Sequence, residues 1–80
     1  MLTFKEINKR HKNAFVICEA DLRDSATGRA KAYFVHQTCD TVEEVRTALE
    51  GHEKWFPYAT GSKELPPDLV ARMYRNMYHA

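Results

Sequence analysis

The sequence is poor in the residues that carry covalent or metal chemistry. Only two cysteines, Cys18 and Cys39, occur in 80 residues. A secreted domain of this size ordinarily holds more, as a disulfide framework that substitutes for a small core. The scarcity points to a reducing, cytoplasmic setting. No Cys-x-x-Cys pair exists, so ligand character is confined to Cys18, His36, Cys39 and His52. His36-x-x-Cys39 has a usable zinc spacing, but Cys18 reads as a core residue, and no metal is expected. Glycine is scarce too. Three scattered glycines exclude a glycine-rich phosphate loop. No apolar run approaches a membrane span, and Met1-Leu-Thr-Phe-Lys-Glu lacks the apolar stretch of a signal peptide. Neither sign of charge dominates: the formal net charge is +1 at pH 7, too little to draw the chain onto nucleic acid or a membrane.

Catalytic groupings are equally sparse. Nucleophilic catalysis needs a nucleophile, a base and an orienting group that converge. Ser25 and Ser62 lie in turn-like segments with no base close in sequence. Cys39 has His36 and His52 as its only neighbouring imidazoles, a thiolate–imidazole pair at best. Glu43 and Glu44 are adjacent and point about 100° apart on a helix, which does not suit an acid–base pair. No catalytic residue and no cofactor is expected.

What is present is the composition of a folded chain, 44% hydrophobic and 29% charged, and residues 1–80 read as one domain. Thr3 and Glu6 have capping-box spacing, and Leu2 and Ile7 have that of a hydrophobic staple. Together they predict a helix from Phe4 to Lys12, although Leu2 and Phe4 also alternate with polar residues as a strand would. Residues 14–23 and 29–38 read as two strands joined by the turn Asp24–Gly28. With Asp24 opposite Gly28, Leu22 faces Ala30, Cys18 faces Phe34 and Val16 faces His36 on an apolar side, while Glu19 faces Tyr33 on the other. Thr41 and Glu44 repeat the capping box for a second helix, with Val42, Val45, Ala48 and Leu49 as its apolar stripe and Gly51 past its end. Residues 52–58 read as a short third strand or as a loop. Pro66-Pro67 opens the last helix. Leu69, Val70, Met73, Tyr74, Met77 and Tyr78 form one side of it, and Arg72, Arg75, Asn76 and His79 the other. The expected fold is α+β: an antiparallel β-hairpin or three-stranded sheet packed with two or three short helices.

Charge is segregated along the chain. Residues 1–12 hold Lys5, Lys9, Arg10 and Lys12 against Glu6, and residues 40–53 hold Asp40, Glu43, Glu44, Glu50 and Glu53 against Arg46. Trp55, Phe56 and Tyr58 cluster beside Lys54, and such aromatics serve either as core or as interface anchors. The last helix is apolar over about half its wheel, wider than the roughly 100° that packing on one core needs. The expected contact surface is therefore Glu43, Glu44, Lys54, Trp55, Phe56, Tyr58, Tyr74 and Tyr78. The expected partner is a protein, with a homodimer through the last helix compatible. The alternative is nucleic acid, held by Lys5, Lys9, Lys12 and the aromatics.

In size, composition and outline, a hairpin with an acidic helix entered at Asp40-Thr41-Val42-Glu43-Glu44-Val45 and a carboxy-terminal amphipathic helix resembles the small phage-encoded inhibitors of bacterial defence, anti-CRISPR proteins among them. That resemblance implies a non-enzymatic protein that binds a CRISPR effector or another nuclease complex and blocks access of nucleic acid. No signature motif accompanies it, so it transfers no residue roles. The α-β-β-α order also resembles double-stranded-RNA-binding domains, but those need a basic start to the final helix. The helix after this hairpin begins with Asp40, Glu43 and Glu44, the wrong sign for phosphates.

Overall fold

A computed structural model describes residues 2–78, with the side chain of Tyr78 outside the described set, as is His79. The elements run α1 (Phe4–Arg10), β1 (Phe15–Arg23), β2 (Ala30–Cys39), α2 (Val42–Leu49), β3 (Trp55–Ala59) and α3 (Pro67–Tyr78). The strands form one antiparallel sheet in the order β2-β1-β3. The fold is α+β, a three-stranded sheet with three short helices.

Local signals set most boundaries. The Thr3 hydroxyl accepts from the Glu6 amide at 3.4 Å, and the Glu6 carboxylate accepts from the Thr3 amide at 3.3 Å, a complete capping box. Leu2, just before it, exchanges two backbone hydrogen bonds with Tyr33, at 3.0 and 2.8 Å. Both readings of the amino terminus therefore hold in turn, extended at Leu2 and helical from Phe4. The helix stops at Arg10, short of the expected Lys12, and the chain turns at Asn13, whose φ is 54°. Thr41 caps α2 by accepting from the Glu44 amide at 3.2 Å. Residues 55–59 are a strand, not a loop. Phe56 enters the core with no exposed surface, and Pro57 is tolerated because β3 is an edge strand.

β1 is buried on both faces: Phe15, Val16, Ile17 and Cys18 are consecutive core residues. Phe15 and Ile17 point to one side, where they meet Val45 and Leu49 of α2 and Leu69 of α3. Val16 and Cys18 point to the other, where they meet Ile7 of α1, Tyr33, Phe56 and the flanking Met73 and Met77 of α3. α3 thus supplies both cores and lies along β3. The width of its apolar side is largely consumed this way, leaving Tyr74 51% exposed.

The hairpin register differs from the one the sequence suggests. Glu19 pairs with Phe34, Cys18 with Val35, Ile17 with Gln37 and Leu22 with Ala32. Irregularities leave Asp21 of β1 and Lys31 and His36 of β2 without direct partners in the ladder, the behaviour of β-bulges. Phe34 consequently lies on the face opposite Cys18, not beside it. Alternation could not fix the register because β1 is apolar on both faces, so a slip exchanges one buried face for another.

The expected polar side of α3 also needs correction. Arg72 is not a solvent-facing residue. Its Nε donates to the Trp55 carbonyl at 2.9 Å and its guanidinium also reaches the carbonyls of Leu49 and His52. The side chain closes the end of α2, the following turn and the start of β3 against α3, and burial lowers its pKa. A lysine presents one compact ammonium in place of this planar fork. Arg72→Lys and Arg72→Ala are both expected to lower unfolding free energy in urea by about 1–3 kcal/mol, since carbonyls lose their donors. A lysine variant as stable as the parent would show that the fork is dispensable.

Candidate partner-binding surfaces

The residues singled out in the sequence separate into three places. Glu43 and Glu44 stand exposed on the first turn of α2. Glu44 is occupied locally, since its carboxylate accepts from the Asp40 amide at 3.5 Å and the Thr41 hydroxyl at 3.4 Å. Glu43 has no such role in the cap. Tyr58 and Tyr74 are brought together in one groove of about 380 Å³, lined also by Ala59, Leu65, Val70 and Met73, with Lys63 and Glu64 at its rim. Lys63 links the groove to α2, because its Nζ donates to the Asp40 carbonyl at 3.0 Å and lies 5.6 Å above the Phe15 ring. Lys54 and Trp55 lie at the opposite end of β3, beside Glu19.

The aromatics of the 55–58 segment are mostly committed to the fold. Phe56 is completely buried and is withdrawn from any contact surface. Tyr58 stacks on Phe4 at 4.2 Å, and its hydroxyl accepts from Asn8 Nδ2 at 2.7 Å. Trp55 is sandwiched between two imidazoles, with His36 at 4.0 Å and His52 at 3.6 Å from its centroid, both nearly parallel to it. His36 Nε2 also lies 2.9 Å from Glu19 Oε1. Both π-faces of Trp55 are covered, so it cannot insert into a partner as a free anchor. Tyr74 is the most exposed aromatic among them, at 51%. Nothing is assigned to the side chain of Tyr78, which lies outside the described residues.

The groups with chemical potential do not converge. Cys39 pairs across from Phe15 on the α2 face, while Cys18 lies on the α1 face. Both cysteines are free. Burial pushes the Cys18 thiol up to about 12. Burial also raises that of Cys39, against a hydrogen bond from Gln37 Nε2 at 3.5 Å and with Glu44 and Asp40 adding to the rise. Neither thiol is poised as a thiolate nucleophile. His36 and His52 are held against Trp55. Among the described residues no group of three or more His, Cys, Asp or Glu side chains is placed to hold a metal ion. None of the helices is long and apolar enough to cross a membrane, again among the described residues.

The carboxylates with clear shifts are structural. The amides of Ala26 and Thr27 hold the Asp24 carboxyl below the usual range, which closes the hairpin turn. The Arg46 guanidinium does the same to Asp68, through contacts of 2.7 and 3.3 Å that tie α2 to α3.

Two exposed apolar residues were missed in the sequence. Leu22 is 47% and Phe34 is 49% exposed. Both were assigned to the core through the simpler register, and only the bulges reveal their true face. Comparison with protein-family models, curated proteins and solved structures finds no match.

The buried thiols give a direct check on this arrangement. Native protein is expected to react with a thiol reagent such as dithionitrobenzoate far more slowly than a free thiol at pH 8. The two cysteines should then react fully in denaturant. Rapid native labelling of Cys39 would place it at a reactive surface.

Proposed function

We propose that this chain is a non-enzymatic protein-binding module, and that its contact surface is the acidic first turn of α2 together with the Tyr58–Tyr74 groove. The carrying observation is that the groove and the acidic turn adjoin through Lys63, which lines the one and bonds to Asp40 beside the other. An apolar recess with Lys63 and Glu64 at its rim and an acidic turn beside it fits a partner that offers a protruding apolar side chain next to a basic surface. Grooves of nucleic-acid-processing complexes combine these features, because they bind phosphates with Lys and Arg and stack bases on aromatics. In this reading the protein occupies such a groove and excludes nucleic acid, as an inhibitor of a CRISPR effector or related nuclease complex would. The two reduced, buried cysteines suit action in the cytoplasm.

The competing reading, nucleic-acid binding, draws on Lys5 and Lys9, both exposed on α1, on the exposed Lys12 just past its end, and on the aromatics. α1 packs on the sheet face opposite α2, so the basic and acidic blocks of the sequence lie on opposite sides of the molecule. The two readings share Tyr58, which lines the groove and stacks on Phe4 of α1, and they differ in the charged residues they use.

Affinity capture from nuclease-treated bacterial lysate, with mass spectrometry of the bound proteins, tests them together. A defined nuclease or effector complex should be retained. Glu43→Lys and Tyr74→Glu should each weaken its retention by at least about tenfold, the scale of an interface hot spot of about 1.4 kcal/mol. Lys5→Glu with Lys9→Glu should leave retention unchanged. Binding that vanishes on nuclease treatment and depends on Lys5 and Lys9 would instead identify nucleic acid as the ligand.

A further inference from the structure

We propose that the recess between α2 and α3, walled by Arg46, Arg72 and Arg75, binds a phosphate group, either free or carried by a small molecule as a monoester. The recess is about 330 Å³, with Leu49, Leu69 and Ala71 as its apolar lining and Asp68 as its one carboxylate. At 100° per residue, positions 68, 71, 72 and 75 share a side of α3 that 70, 73 and 74 do not. The recess therefore lies across the helix from the Tyr58–Tyr74 groove, and the inference does not rest on the surface proposed for a protein partner.

Three guanidinia against one carboxylate leave a surplus of two positive charges, and arginine stays charged at any working pH. Asp68 is already engaged. It accepts from Arg46 Nη1 at 2.7 Å and from Nη2 at 3.3 Å, a two-pronged pair that fixes Arg46 at the rim. Arg72 is anchored through Nε and Nη2 to the carbonyls of Trp55, Leu49 and His52, while its Nη1 makes no hydrogen bond to a described residue. Arg75 is exposed and forms no hydrogen bond or ion pair among the described residues. It follows Arg72 by three positions, on the same helix face. Its charge adds to burial in lowering the pKa of Arg72. Two cations held side by side with unused donors repel each other until an anion lies between them.

Shape and charge select phosphate over a carboxylate. A planar carboxylate satisfies one fork, as Asp68 does for Arg46. A phosphate monoester presents three acceptor oxygens and a charge near −2. It can accept from Arg72 Nη1 and from Arg75 together, and its charge matches the surplus. The anchored Arg72 offers its donor without first losing side-chain freedom. Glu50 and Glu53 line the adjoining recess with the same two arginines, and Glu53 acts on the pKa of Arg72 in the opposite direction, raising it. Neither carboxylate forms an ion pair with a guanidinium among the described residues. They weaken the field on that side without filling the site, so the phosphate lies toward Arg46.

The site is open to solvent, so the Kd for inorganic phosphate is expected on the order of a millimolar. Isotopically labelled full chain, titrated with inorganic phosphate at about pH 7.5 and at ionic strength held constant with sodium chloride, tests this by nuclear magnetic resonance. Saturating shifts are expected at the amides of Leu49, Ala71, Arg72 and Arg75. Arg75→Gln should weaken binding by at least about tenfold, with far-UV dichroism unchanged because the side chain is exposed. Asp68→Asn should tighten binding by about threefold or more, since a negative charge leaves the recess and Arg46 is released. Glycerol phosphate, run in parallel, separates the two sources. Tighter binding than inorganic phosphate assigns the apolar lining to the body of a monoester, and equal or weaker binding assigns the site to free phosphate. Shifts that rise without saturating, or that fall on Lys5 and Lys9 instead, would overturn the proposal. So would an Arg75→Gln protein that binds as the parent does, or an Asp68→Asn protein that binds no more tightly.

Discussion

Four consecutive core residues in the middle strand, Phe15 to Cys18, govern the rest of the structure. A strand buried on both faces needs cover on both. With only 80 residues, this chain supplies it with short helices on both sides of the sheet. α1 covers Val16 and Cys18, α2 covers Phe15 and Ile17, and α3 lies along β3 and sends Leu69 to one core and Met73 and Met77 to the other. Neither core is large. Each is finished by polar work at its margin: the capping box at Thr3, the Thr41 cap, the Arg72 fork on three carbonyls, and the Arg46–Asp68 pair. The carbonyl bonds matter most, because an unsatisfied buried backbone group costs far more than an exposed ion pair contributes.

The same constraint explains what could be read from the sequence and what could not. Capping signals act over three or four residues, so α1 and α2 were legible at their first turns. The turn at Asp24–Gly28 was legible because the carboxylate accepts from two amides there and Gly28 takes a φ of 74°. Register was not legible. It depends on which of two apolar faces pairs with what, and a doubly buried strand gives alternation no purchase. The role of Arg72 was hidden for a related reason. A cation on a helix wheel reads as solvent-facing unless the strand edge it must satisfy is already known, and β3 was itself ambiguous.

The register error has a functional consequence. In the simple hairpin, Phe34 and Leu22 disappear into an apolar side with Cys18. In the bulged one they emerge on the open part of the α2 face, while the aromatics that looked available are absorbed. Phe56 becomes core, Tyr58 stacks beneath Phe4, and Trp55 is enclosed by two histidines. Aromatic clusters in small domains tend to be spent on burial in this way. Of the site residues chosen from sequence, Glu43, Lys54 and Tyr74 stay exposed outside the caps and the buried core.

Geometry also assigns the two polarities of the chain to opposite sides. Because β1 requires a helix on each face, the basic amino-terminal block and the acidic block around α2 are separated by the thickness of the sheet. Each can then act without neutralising the other, although the net charge is only +1. A surface built this way discriminates by placement more than by total charge.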